Sequence, residues 1–147
     1  MATATPNGIR LLIVDDNDDN RDMLERRLRR RGYEVHAVAS GTEALDAIDN
    51  TRFHAVLLDV MMPGLNGLEV LQYLRRSFSK DELPVLMATA RADSEHVIEA
   101  LRLGANDYLT KPINIQEVTA ALDVALHNED PADLVSERDF DESGPSS

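Results

Sequence analysis

The sequence predicts an α/β domain built on a doubly wound sheet of five parallel strands, with five helices on its two faces. Short apolar runs alternate five times with longer stretches whose apolar residues recur every three or four positions, the rhythm of strands joined by crossover helices. Helix-start and helix-stop residues fall between the two kinds of segment. The 147 residues suffice for one domain with one core.

The strand candidates are 9–14, 33–38, 55–58, 84–89 and 107–110. In the second, Glu34 and His36 alternate with Val35 and Ala37, as expected of an edge strand with one wet face. The first helix is expected from about residue 20 to 31 behind Asp18 and Asp19, burying Met23, Leu24 and Leu28 and stopping at Gly32. Ser40 with Glu43 forms a capping box for the second, which buries Ala44, Leu45 and Ile48. The third, about 67–76, offers Leu68, Leu71 and Leu74 to the core. Asp93 or Ser94 caps the fourth, with Val97, Ile98 and Leu101 turned inward and Gly104 as its stop. Asn114 with Glu117 opens the fifth, which buries Val118, Ala121, Leu122 and Ala125 and frays near His127. Five β-α pairs in succession require right-handed crossovers.

Composition narrows the function. There is no cysteine, so disulfide frameworks, thiolate chemistry and Cys-based zinc sites are excluded. The start lacks the basic and apolar regions of an export signal, and no apolar run approaches spanning length, so a cytoplasmic protein without membrane insertion is expected. A net charge of −12 argues against direct nucleic-acid contact. Half of that charge lies in residues 128–147, where seven acids stand against Arg138. With few large apolar residues, this stretch reads as an acidic disordered tail or a cut linker, and residues 1–8 as a flexible N-terminus, flanking a domain at 9–127. The one basic cluster, Arg26, Arg27, Arg29, Arg30 and Arg31, reads first as a solvated helix end that suits the macrodipole, and second as a docking patch. The four histidines show no metal-ligand spacing and read as surface residues.

In an open parallel sheet the functional crevice lies at the carboxyl ends of the strands. Strand one runs into Asp15 and Asp16, strand three into Asp59, strand four delivers Thr89 and strand five Lys111. Each alone can be a turn or cap residue. Together they place three carboxylates, a hydroxyl and an ammonium at one end of the sheet. Three close carboxylates repel one another unless a cation compensates, and an all-oxygen donor set suits Mg²⁺. Such an ion beside a lysine would neutralise charge on a transferring phosphoryl group, with the Asp59 carboxylate as nucleophile.

The segments LLIVDD, LLDVMMPGLNG, VLMATA and GANDYLTKP, in this order and spacing, resemble response-regulator receiver domains of two-component signalling, of the chemotaxis type, over residues 9–126. The resemblance implies the flavodoxin-like strand order 2-1-3-4-5. It implies Asp15 and Asp16 as metal-binding acids, Asp59 as phosphoacceptor and Met61 as a main-chain carbonyl ligand to Mg²⁺, for which Mn²⁺ substitutes. It further implies Thr89 as switch hydroxyl, Lys111 as phosphate-pairing lysine on a cis peptide to Pro112, and Tyr108 as an aromatic rotamer switch. By itself, an aromatic on a strand reads as core. The implied partners are a histidine kinase or phosphotransfer protein upstream and an effector protein or fused output domain downstream. The implied activity is assisted self-phosphorylation and autodephosphorylation of a switch, not turnover of a separate substrate.

Other classes fit less well. A haloacid dehalogenase-type phosphatase needs a second Asp two positions beyond the nucleophile, where this chain has Met61, which shuttles no proton. Gly64 and Gly67 match neither a nucleotide loop nor a dinucleotide fingerprint, and read as turn and helix-entry residues. A flavin carrier lacks its phosphate loop after strand one, and an interaction module with a vestigial site would have no need of the full residue set.

Overall fold

The computed structural model describes residues 8–90 and 94–127. The expected flexible N-terminus, apart from Gly8, the acidic tail at 128–147 and the Asp93 alternative for a helix cap lie outside the described residues.

Five strands and five helices alternate: β1 (Arg10–Val14), α1 (Asp18–Arg30), β2 (Glu34–Val38), α2 (Gly41–Asn50), β3 (Ala55–Asp59), α3 (Gly67–Arg75), β4 (Val85–Thr89), α4 (Ser94–Leu103), β5 (Asp107–Thr110) and α5 (Ile115–His127). The strands form one parallel sheet in the order β2-β1-β3-β4-β5. β1 pairs with β2 on one side and β3 on the other, so strand order reverses there and the crevice of the fold opens beyond Val14 and Asp59.

Side chains alternate across the sheet and build two cores. Leu12, Val14, Val56, Leu58, Val85 and Met87 meet α2, α3 and α4 through Ala44, Val70, Leu71, Leu74 and Ala100. Leu11, Ile13, Ala55, Leu57, Leu86 and Ala88 meet α1 and α5 through Leu24, Leu28, Val118, Leu122 and Ala125. Each fully buried Leu, Ile, Val or Met among these contributes about 1.5–3 kcal/mol, and each alanine less. The central strands β3 and β4 are buried at every residue, whereas β2 exposes Glu34 and His36, as its alternation predicts.

Several local expectations change. Asn17, not Asp18 or Asp19, caps α1 by accepting from Asn20 N–H, and the two acids fall inside the first turn, where they suit the macrodipole. Met23 is half-buried, as are Leu45, Ile48 and Leu68. α3 opens with a capping box between Asn66 and Glu69, and Val70 joins its buried stripe. The largest correction concerns α4: Ile98 is 52% exposed and Leu101 43%, while Ala100 is buried and Leu103 packs on the core. Two overlapping stripes, one through Val97, Ile98 and Leu101 and one through Val97, Ala100 and Leu103, both satisfy helical spacing. Packing beside Ala105 and α3 selects the second, which has the smaller residue at its centre. At α2 only half of the expected capping box forms: Ser40 Oγ accepts from Glu43 N–H, but the Glu43 carboxylate accepts from Ala39 N–H and not from Ser40; at α5, Asn114 Oδ1 accepts from Gln116 and Glu117 N–H.

Candidate functional site

The site is assembled from four strand ends. β1 hands over to Asp15, which is buried, and then to Asp16, which is exposed. Main-chain and side-chain bonds hold this turn: Asn17 N–H donates to Asp15 Oδ1 at 2.8 Å, and the Arg21 guanidinium donates to the Asp15 carbonyl at 2.9 Å while pairing with Asp18. β3 runs one residue further than expected, so Asp59 is the last residue of the strand and is only 2% exposed. Met61 N–H turns back to donate to Asp59 Oδ1 at 3.3 Å.

Lys111, just beyond β5, sits on a cis peptide to Pro112. Its ammonium lies 3.1 Å from Asp59 Oδ2 and 3.3 Å from Asp15 Oδ2, bridging the two buried carboxylates. The contact with Asp59 is an ion pair without hydrogen-bond alignment, so Oδ2 is buried with no hydrogen-bond partner. Carboxylate oxygens of Asp15, Asp16 and Asp59 come within 4.8 Å of one another.

Burial pushes the Asp59 carboxyl from 3.8 up to about 6; Lys111 and the Met61 N–H pull it down and the Asp15 charge pushes it up, so desolvation prevails. Burial also pulls Lys111 down, but Asp59 and Asp15 outweigh it and leave the ammonium above its ordinary value. The donor set therefore suits a hard divalent cation on two observations: a buried oxygen lacking its hydrogen bond, and clustered all-oxygen donors that one lysine does not neutralise.

Thr89 closes β4, one residue past the Ala88 that pairs with Asp59, and is buried. Tyr108 lies in β5 beside Met87 and is 37% exposed, on the surface and not in the core. Met61 points its side chain to solvent, 61% exposed, which leaves its main chain as the part facing the site. Sequence reasoning missed Asn17 and Arg21. An Asx residue before a helix start is a legible cap signal for the first; the second binds a main-chain carbonyl across a turn and has no local signature.

A family model described as the response regulator receiver domain matches residues 11–123. The chain belongs to the response-regulator receiver family. This receiver is a phosphorylation-activated signalling switch domain. It is 44% identical over 123 residues to the response regulator MprA of Mycobacterium sp. strain KMS, covering 84% of this chain and 53% of that protein. The receiver thus spans about half the length of the curated relatives it matches. Among solved structures it is similar to the chemotaxis protein CheY4 of Vibrio cholerae, at 33% identity and a TM-score of 0.76 over 80% of this chain and 98% of that one. A response regulator from Chloroflexus aurantiacus is 41% identical with a TM-score of 0.75, over 80% and 97% of the two chains. Among the described residues, no helix of the receiver is long and apolar enough to cross a membrane.

Proposed function

We propose that this receiver accepts a phosphoryl group on Asp59 and thereby changes the surface formed by α4, β5 and α5. The observation that carries the reading is the Asp59 carboxylate itself, buried at the switch point of the sheet, flanked by two further acids and 3.1 Å from Lys111. Asp15, Asp16 and Asp59, with the Met61 main-chain carbonyl, would hold Mg²⁺ or Mn²⁺, which when bound supplies positive charge beside the transferring group. An Asp59 oxygen attacks the phosphorus of a phosphohistidine, the P–N bond breaks, the imidazole leaves, and an acyl phosphate forms. Lys111 pairs with a phosphoryl oxygen and Thr89 donates its hydroxyl to another. Water later attacks the phosphorus, releasing phosphate and restoring the carboxylate.

The phosphoryl donor is a histidine kinase or a phosphotransfer protein. Because such donors are charged from ATP, this reading places the chain in the cytoplasm. The output is an effector protein or a fused output domain. Likeness to CheY4 supports the chemotaxis subtype, but the higher identity to MprA favours a response regulator of that kind.

Incubating the protein with a small-molecule phosphodonor and Mg²⁺ and mapping the product by mass spectrometry should place the modification on Asp59 alone. Equal modification of Asp59→Asn overturns the assignment. The Asp15→Asn, Asp16→Asn double variant should keep its fold and lose metal-dependent phosphorylation; normal phosphorylation of that variant would put the ion elsewhere.

A further inference from the structure

The arginine-rich end of α1 and the end of α5, from which an acidic stretch of sequence continues, both lie at the end of the sheet remote from Asp59. The crossover helices α1 and α5 run back from the site, so both finish at that far end. They pack side by side, Leu24 and Leu28 of α1 sharing a core with Val118, Ala121, Leu122 and Ala125 of α5. Tyr33, in the same core, senses both helix ends: burial raises its pKa, Asp123 of α5 adds to the rise, and Arg31 opposes it.

α1 closes on a run of arginines. Arg26 pairs with Asp22 and Arg29 with Glu25, but Arg27, Arg30 and Arg31 are exposed and have no ion-pair partner among the described residues. The helix dipole offsets about half a charge, leaving most of this positive charge unmatched. From His127, the last residue of α5, the chain continues through 128–147 with seven acids and one arginine.

We propose that this acidic segment lies against Arg27, Arg30 and Arg31, an intramolecular charge contact that covers the end of α1. Reach is ample: packed helices are about 8–10 Å apart, and ten residues of extended chain span roughly 33–36 Å. Exposed ion pairs are individually weak, but the tether supplies an effective concentration in the millimolar range and removes most of the cost of association. The other neighbour of the α5 end is unfavourable to an acidic chain. The cleft there is bordered by Asp81 and Asp107 with Lys80 as its only base, beside Val124. By linkage, a partner that captures the segment uncovers the arginines, and an anionic partner of the arginines releases the segment.

The test uses the full chain, whose lack of cysteine makes a spin label on Ser136→Cys unique. An unbiased segment broadens the amides of 27–32 and of 79–82 alike, since both border the end of α5. The proposed contact broadens 27–32 more strongly, reflecting a population preference of about threefold to tenfold, the range that a few exposed pairs supply. The preference should vanish in about 0.5 M salt, where screening acts within roughly 4 Å, and in the Arg27→Gln, Arg30→Gln, Arg31→Gln variant. Equal broadening of both sides overturns the proposal, as does a preference that survives both salt and substitution. Broadening transferred from labelled to unlabelled copies in a mixture would place the contact between molecules and overturn it too.

Discussion

At position 59 a carboxylate sits where water does not reach, with Asp15 beside it and one ammonium facing both. In the metal-free protein its carboxyl is raised from 3.8 to about 6, chiefly by burial. The folded state therefore holds the proton more tightly than the unfolded state, and the contribution of Asp59 to stability is fully present below about pH 4 and lost as pH rises through about 6. That gap corresponds to roughly 3 kcal/mol at most. Asp59→Asn in EDTA at pH 7.5 should accordingly be more stable than the parent by about 1–3 kcal/mol, and the gain should shrink toward zero near pH 4. Urea unfolding at the two pH values checks this; an Asn variant less stable than the parent at pH 7.5 would remove the case for a strained acceptor. Adding Mg²⁺ should narrow the gap at pH 7.5 by stabilising only the protein that retains the carboxylate.

The elements around the site are pressed together closely enough that one methyl group matters. α3 begins against Asp59: a Cβ at Gly67 would stand 2.2 Å from the Asp59 carbonyl oxygen, and the Gly67 N–H donates to the Val60 carbonyl at 2.9 Å. Backbone, not a yielding side chain, blocks the space. Gly67→Ala should cost roughly 2–4 kcal/mol of stability and, by displacing the 59–61 turn, also weaken metal binding. Thermal melts and a metal titration monitored by amide shifts measure both; unchanged melting would show that the turn relaxes freely. On the far end of α3, Arg75 donates to the carbonyls of Phe78, Leu83 and Gly104 and to Asn106 Oδ1, tying the α3–β4 connection to the start of β5. No spacing rule marks such a residue, because its partners are main-chain oxygens brought near by the fold.

For the whole molecule, the proposed function requires that an event at Asp59 reach the surface of α4, β5 and α5. Thr89 is buried beside the strand that ends in Asp59, and Tyr108 on the next strand is 37% exposed, so that turning inward would bury more of its ring. Moving a state from about 1% to dominance takes about 5.5 kcal/mol, more than the roughly 1.5–3 kcal/mol of one charge-assisted hydrogen bond. Lys111 pairing and Tyr108 burial must add to it, or the unmodified protein must already sample the second state. Thr89→Ala should still be phosphorylated while the amide shift changes in α4 and α5 fall well below those of the parent when a phosphoryl mimic is added. Equal shift changes in the two proteins would show that Thr89 does not couple site and surface.

The order of elements, the parallel sheet and the strand-end residues Asp15, Asp16, Asp59, Thr89 and Lys111 were legible in the sequence, because strand periodicity and turn chemistry are local and the fold places every strand end on one side. Only tertiary structure decided which face of α4 is inward, since Ile98 and Leu101 satisfy helical spacing as well as Ala100 and Leu103 do, and only packing against the sheet separates them. It also decided that Asp59 and Asp15 are buried while Asp16 is not, and that Lys111 stands between the two buried acids. Burial and charge proximity are sums over residues distant in the chain. Local spacing carries no record of them, and they set the protonation behaviour of the site.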